Sequence, residues 1–138
     1  MPIFSGNKAD EEQLRQACKT GDCTKVTELL KTVDVNATDV GTWSAVWYAC
    51  LLDHIDVILL LVEAGADLNG SDRFNRTLLQ LVCSDGLCAV ARILLDAGAN
   101  ATARDKWGHS ALDIATSAGH SAVVTLLKQY LPSGSPAA

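Results

Sequence analysis

Cysteine and histidine are the side chains best suited to nucleophilic, redox or metal chemistry. This 138-residue chain holds five cysteines and three histidines. Cys18 and Cys23 are five positions apart, as are Cys83 and Cys88, and this spacing matches no zinc finger or zinc ribbon. No Ser, His and Asp stand at the spacing of a nucleophilic triad, and no glycine-rich loop is suited to holding a phosphate. The sequence therefore predicts no catalysis, no metal and no cofactor.

The cysteines have a simpler explanation in an internal repeat of 33 residues. The motif Glu63-Ala64-Gly65-Ala66-Asp67 returns as Asp96-Ala97-Gly98-Ala99-Asn100. Cys18, Cys50 and Cys83 share one slot of this repeat, because the first copy is one loop residue shorter. Cys23 and Cys88 share another slot. A thiol is small and weakly polar, so we interpret both slots as packing positions.

Each copy of the repeat predicts two helices joined by a tight turn. A Ser or Thr that can cap a helix N-terminus precedes a short apolar segment in three copies, at Ser44, Thr77 and Ser110. Turn residues follow, and then a second apolar run with helical spacing, such as Val90 with Ile93-Leu94-Leu95. No single helix pair could bury its apolar face, so the pairs must stack on one another.

The fourth copy, which begins Asp105-Lys106-Trp107-Gly108-His109-Ser110-Ala111-Leu112, resembles the ankyrin repeat family, and the resemblance spans about residues 10–130. It implies an all-α solenoid of stacked helix-turn-helix units with projecting β-turn or hairpin loops. The family's Thr-Pro-Leu-His segment is replaced here, for example by Ser44-Ala45-Val46-Trp47. We therefore expect a weaker helix start, the loss of one loop-bracing hydrogen bond and marginal stability. His54 and His120 follow the turns, where we expect each imidazole to brace a loop.

The chain is predicted to be one ankyrin repeat domain between two flexible ends. The flexible segments are residues 1–8 and 131–138, and the repeats cover about 9–38, 39–71, 72–104 and 105–130. Acidic residues near the start suit a polar N-terminal cap. A tail rich in proline and glycine follows a last helix that ends near Tyr130.

The resemblance implies a non-catalytic module that binds a protein or peptide on the concave face formed by loops and first helices. The candidate partner-binding residues are Trp43, Leu51, Leu52, Arg73, Phe74, Arg76, Lys106, Trp107 and His109, with Val40, Ser84, Asp85, Ser117 and Ala118 at equivalent positions. Leu51 and Leu52 are the most informative, because earlier residues already supply the packing face of their helix. The apolar candidates favour an apolar partner segment, and the basic ones favour acidic partner residues.

Purely structural explanations remain open for several of these residues. Phe74 and Trp107 fall at corresponding loop tips, where each ring could pack on the neighbouring loop. Trp47 and Tyr48 lie within a first helix and are interpreted as core or inter-repeat contacts. The basic residues Arg73, Arg76, Arg104 and Lys106 are interleaved with Asp72 and Asp105 and could form loop ion pairs of little stabilising value.

Composition and charge bear on location and on alternative functions. A net charge of −5 and a pI near 5.0 argue against a protein that coats nucleic acid or anionic lipid. The apolar stretch 45–66 contains four charged or ionisable residues, which argues against a membrane helix. An odd cysteine count without a signal peptide favours the cytoplasm or nucleus. We expect a monomeric adaptor, scaffold or stoichiometric regulator, with a thiol- or metal-dependent enzyme, or nucleic-acid binding through the basic loops, as alternatives.

Overall fold

The computed structural model describes residues 8–38 and 43–131. The helices in these ranges are α1 (Lys8–Thr20), α2 (Cys23–Leu29), α3 (Ala45–Leu51), α4 (Ile55–Glu63), α5 (Leu78–Ser84), α6 (Cys88–Asp96), α7 (Ala111–Ala118) and α8 (Ser121–Tyr130). They form the predicted succession of helix pairs, and α8 ends where expected. α1 begins at Lys8, one residue inside the segment predicted to be flexible. The remainder of the two predicted flexible ends, except Leu131, lies outside the described residues.

Two compact units, divided between Asp67 and Leu68, each hold two helix pairs. In the first unit α1 packs on α3 and α2 on α4, and in the second α5 packs on α7 and α6 on α8. First helices therefore contact first helices, and second helices contact second helices, as the repeat predicts. The layers between them are apolar, with Ile58 fully buried in the first unit and Leu94 in the second.

The first helices begin at the Ser and Thr residues that the sequence predicts as caps. The Thr77 hydroxyl accepts from the Gln80 N–H at 3.2 Å, and the Gln80 side chain accepts from the Thr77 N–H at 2.9 Å. Ser110 and Asp113 form the same reciprocal pair. Ser44 occupies the N-cap of α3 but makes no side-chain cap bond. Capping boxes thus stabilise two of the three predicted helix starts.

Gln80 also replaces the loop-bracing residue that the sequence lacks. Its Nε2 donates to the carbonyl oxygens of Ala103 at 2.9 Å and His109 at 3.3 Å, and the residue is only 1% exposed. The expected loss of a loop-bracing hydrogen bond is therefore wrong for the third repeat. An amide carries both donors and an acceptor, so one side chain caps its own helix and braces the next loop.

A residue with left-handed backbone geometry lies in the turn of each helix pair. At Gly86 φ is +73°, and a Cβ there would lie 2.7 Å from Nδ1 of His120, so both the backbone and the available space require glycine. Asp53 occupies the same conformation in the first unit, with φ +62°. The Nε2 atoms of His54 and His120 donate to carbonyl oxygens of the preceding repeat at 2.8 and 3.0 Å. Both histidines therefore brace a turn, as predicted.

Candidate protein-binding surfaces

Three of the thiols occupy buried packing positions. Cys18, Cys50 and Cys83 are buried, and burial, with a smaller effect from a neighbouring cysteine, raises the pKa of each thiol to about 12. Such thiols hold almost no thiolate near neutral pH, and thiolate is the reactive form. Cys23 and Cys88 are half-buried. The prediction that the shared cysteine slot serves packing is confirmed for the buried three.

Neither a metal cluster nor a membrane span occurs in the part of the chain that the structure describes. Across residues 8–38 and 43–131, no group of three or more His, Cys, Asp and Glu side chains is arranged to hold a metal ion. No helix in these ranges has the length and hydropathy needed to cross a bilayer.

In the first unit, the predicted binding residue Trp43 belongs to an aromatic cluster with Trp47 and Tyr48. The Trp43 ring stacks on Trp47 with centroids 5.5 Å apart and meets Tyr48 edge-on at 5.4 Å. The ammonium of Lys19 lies 4.6 Å from the centre of the Tyr48 ring. Trp47 is buried, which confirms its interpretation as a core residue, whereas Trp43 and Tyr48 are half-buried. Trp43 therefore contributes to packing and also presents part of its surface.

Leu51 and Leu52 lie at the C-terminal end of α3. Leu51 is half-buried and Leu52 is 50% exposed, so neither is sealed inside the protein. The buried face of α3 is supplied by Val46, Ala49 and Cys50, which explains why the two leucines remain outside. Val40 lies outside the described residues. Leu52 and part of Leu51 are thus accessible on the first unit.

In the second unit, two loops of identical construction carry the other candidates. Oδ1 of Asp72 accepts from the N–H groups of Phe74 and Arg76 at 2.9 and 3.0 Å. Oδ1 of Asp105 accepts from the N–H groups of Trp107 and His109 at 3.0 and 2.9 Å. Each aspartate thus fixes the backbone of its own loop, which is an ordinary role for a short carboxylate in a turn.

The two loops are joined where their aromatic residues meet. The Lys106 N–H donates to the Phe74 carbonyl at 2.9 Å, and the Phe74 and Trp107 rings stack with centroids 5.8 Å apart and an interplanar angle of 20°. Each ring packs on the neighbouring loop, as the structural explanation of these residues anticipated. Even so, Phe74 remains 36% exposed and Trp107 57% exposed. We call Arg73, Phe74, Arg76, Lys106, Trp107 and His109 the loop patch.

The cations around the loop patch differ in what they contact. Nε and Nη2 of Arg76 lie 2.8 Å from Oδ2 of Asp72, and the guanidinium lies 5.0 Å from the centre of the Phe74 ring. The ammonium of Lys106 lies 5.7 Å from the centres of both stacked rings. Among the described residues, neither Lys106 nor the exposed Arg73 has a carboxylate partner.

An open groove with a volume of about 600 Å³ lies along α7 and α8, and sequence reasoning missed it as a feature. Its lining consists of His109, Leu112, Asp113, Thr116, Ser117, Val124 and Lys128. Hydrogen bonds from Ser110, chiefly from its backbone, lower the pKa of the Asp113 carboxyl despite partial burial, and Arg104 adds a smaller effect. The signal in the sequence was the polar residues Asp113, Thr116 and Lys128, which line this groove.

Comparison with known families agrees with this architecture. One family model described as ankyrin repeats in three copies matches residues 3–72, and another described as ankyrin repeats in many copies matches residues 53–115. The chain is an ankyrin repeat protein. Together with the helices of the described residues, the match confirms the predicted all-α repeat fold. Ankyrin repeats are generally protein–protein interaction modules.

This ankyrin repeat protein is similar to short segments of three longer proteins. Ankyrin repeat domain-containing protein 40 of Mus musculus is 37% identical over 69 residues, which cover 49% of this chain and 19% of that protein. Inactive serine/threonine-protein kinase TEX14 of Mus musculus is 36% identical over 72 residues, which cover 49% of this chain and 5% of that protein. Tyrosine-protein kinase HTK16 of Hydra vulgaris is 29% identical over 86 residues, which cover 59% of this chain and 11% of that protein. The chain thus spans less than a fifth of the length of each of these three relatives.

Proposed function

We propose that this ankyrin repeat protein is a non-catalytic binding module that acts in the cytoplasm or nucleus as an adaptor, scaffold or stoichiometric regulator of a partner protein. The partner contributes apolar and acidic side chains. The burial of Cys18, Cys50 and Cys83 supports a binding role over thiol chemistry, because burial raises the pKa of each thiol to about 12 and leaves almost no reactive thiolate at neutral pH.

The exposed Phe74–Trp107 stack in the second unit carries this proposal. Trp107 is 57% exposed and is oriented by its contact with Phe74, so little conformational freedom remains to be lost on binding. Covering the exposed part of such a ring contributes about 3 kcal/mol, from roughly 130 Å² of mainly apolar surface. Tryptophan flanked by arginine is also the composition that dominates the energy of protein interfaces.

A separate apolar surface in the first unit supports the same function. Leu52 is 50% exposed beside the half-buried Leu51. Trp43 belongs to the ring cluster of that unit, so removing it also removes packing. Leu52→Ala is therefore the cleaner test of this surface, and Trp43→Ala the more disruptive one.

The test compares capture of partner proteins by the whole chain and by three single variants, with thermal unfolding measured in parallel. Trp107→Ala and Leu52→Ala are expected to weaken capture while the melting temperature stays nearly unchanged. Leu59→Ala is the matched control, because Leu59 is a 50% exposed leucine on the second helix α4 rather than in a loop or first helix. Equal loss of capture and stability in the test variants, or equal loss in the control, would overturn the surface assignment.

A further inference from the structure

We propose that the loop patch binds a carboxylate-rich segment of the partner protein through Arg73 and Lys106, which are the specificity-determining cations. This inference rests on the proposed function, because it names the chemistry of the partner at that surface. It also separates two cations that face the partner from two whose charges are already compensated inside the loops.

The acidic residues of the two loops are turned inward. The side chains of Asp72 and Asp105 are only 3% and 5% exposed, and their Oδ1 atoms are occupied by backbone N–H groups. The basic side chains point outward, including His109 at 60% exposure. The surface of the loops is therefore cationic, although the chain as a whole carries a formal charge of −5. Interleaving of acids and bases in the sequence hides this separation.

Two of the cations already have a carboxylate close by. Arg76 makes two contacts of 2.8 Å with Asp72, whose carboxylate has almost no access to water. Arg104 donates to the Gly108 carbonyl at 2.7 Å and lies 3.7 Å from Asp113. Arg73 and Lys106 have no such compensation among the described residues. An incoming carboxylate thus gains more from these two than from the compensated pair.

Lys106 is held beside the aromatic stack. Its backbone bond to Phe74 fixes the loop, and its ammonium lies 5.7 Å from each ring centre. The contact with a ring face orients an ammonium but leaves its positive charge available. The indole N–H of the neighbouring Trp107 donates to no residue that the structure describes. A carboxylate at Lys106 would therefore also meet a hydrogen-bond donor and an apolar ring.

The geometry favours a protein segment over a nucleic acid. Single-stranded nucleic acids bind by stacking bases on free aromatic faces along a basic groove. Here Phe74 and Trp107 occupy one face of each other, and Arg76 and Lys106 lie over Phe74. Glutamate or aspartate next to an aliphatic or aromatic residue matches the remaining surface, with its two uncompensated cations and one half-exposed indole.

The experiment measures binding of a fluorescein-labelled peptide in which glutamates alternate with leucine and tryptophan, by fluorescence anisotropy at low and at physiological salt. The single variants Arg73→Gln and Lys106→Gln are each expected to weaken binding by about three- to tenfold and to reduce its salt dependence. Arg104→Gln is the matched control, because it removes the same single charge from an exposed cation that is already paired. It is expected to change the affinity by less than about twofold. Thermal unfolding of every variant reports whether the fold is retained.

Three results would overturn the inference. An equal loss in Arg104→Gln would mean that all loop cations act through general electrostatics. Absence of binding to the glutamate peptide, or tighter binding to a uridine oligonucleotide, would exclude an acidic protein segment as the occupant. If the peptide fails while a partner protein is still captured in a Trp107-dependent manner, the proposed function stands and this assignment of the partner's chemistry fails.

Discussion

The third and fourth repeats share one backbone design but differ in burial. The fourth repeat packs on the third, whereas no helix follows α8 in the described residues. Leu79 and Cys83 are buried on α5, the helix on which α7 of the fourth repeat packs. Their counterparts 33 positions later on α7 are Leu112, which is half-buried, and Thr116, which is exposed. The same slot of the repeat is therefore a core position in one copy and a surface position in the next. The residue type changes with burial at the slot of Cys83 and Thr116, whereas leucine is kept at the slot of Leu79 and Leu112.

Other slots change in the same direction along this face. Leu95 is buried on α6, whereas its counterpart Lys128 on α8 is exposed and lines the open groove. Gln80 reaches across to the following loop, whereas Asp113 serves only its own helix and Arg104. The groove along α7 and α8 therefore combines apolar side chains, such as Leu112 and Val124, with polar ones, such as Thr116 and Lys128.

The largest expected contrast is in thiol reactivity at the shared slot. We expect a cysteine introduced by Thr116→Cys to react with an aromatic disulfide reagent at least about 10³-fold faster than Cys83. Burial raises the pKa of the Cys83 thiol from 9.0 to about 12, which removes nearly all thiolate at pH 8, whereas position 116 is exposed.

The control for this measurement is the same chain without the introduced cysteine. Both proteins carry Cys18→Ala, Cys23→Ser, Cys50→Ala and Cys88→Ser, because the other four thiols would otherwise contribute to the signal. Comparable rates for Cys83 and position 116 in the folded protein would mean that the α5 face opens readily, and the contrast between the two repeats would be lost.

Truncating the leucine of the preceding slot is expected to give the next largest difference. Leu79→Ala removes a fully packed side chain and should lower the free energy of unfolding by about 2–4 kcal/mol. Leu112→Ala at the half-buried counterpart should cost less than about 1 kcal/mol. Denaturant unfolding measures both, and equal costs would show that the fourth repeat is covered as well as the third.

Two turn glycines allow the effect of backbone strain to be separated from that of a clash with a neighbouring side chain. Gly86→Ala should destabilise by about 2 kcal/mol or more, because it combines a left-handed φ with a Cβ only 2.7 Å from Nδ1 of His120. Gly119→Ala has a similar φ but nothing within 4 Å of the added Cβ, so about 1 kcal/mol is expected. Matching melting temperatures for the two variants would show that the His120 side chain does not restrict the space at Gly86.

The smallest expected effect is the pH dependence of the cap at Asp113. Hydrogen bonds from Ser110 lower its pKa below the ordinary 3.8, so the carboxylate stabilises the fold above about pH 4 and this contribution is lost as the pH falls further. Asp113→Ala should cost about 0.5–1 kcal/mol at neutral pH. The difference from the parent chain should shrink on acidification, as measured by urea unfolding, and a difference independent of pH would exclude an electrostatic cap.

The sequence by itself determined the helix pairs, the caps and the turns. Thr77 and Ser110 cap their helices, and His54 and His120 brace their turns, because such signals act locally or recur at a fixed repeat step. The burial of Cys83 followed from the period of the repeat for the same reason. The position of the candidate aromatic residues at the loop tips was also predictable from that period.

Only the tertiary structure decided which charges and surfaces remain available. The stacking of Phe74 on Trp107 and the bond from Gln80 to the next loop join atoms of separate repeats, whereas the bonds that Asp72 and Asp105 accept lie within their own loops. The composition of a loop does not reveal which of its rings and cations remain exposed. That depends on packing between repeats, and it sets the cationic surface of the loops.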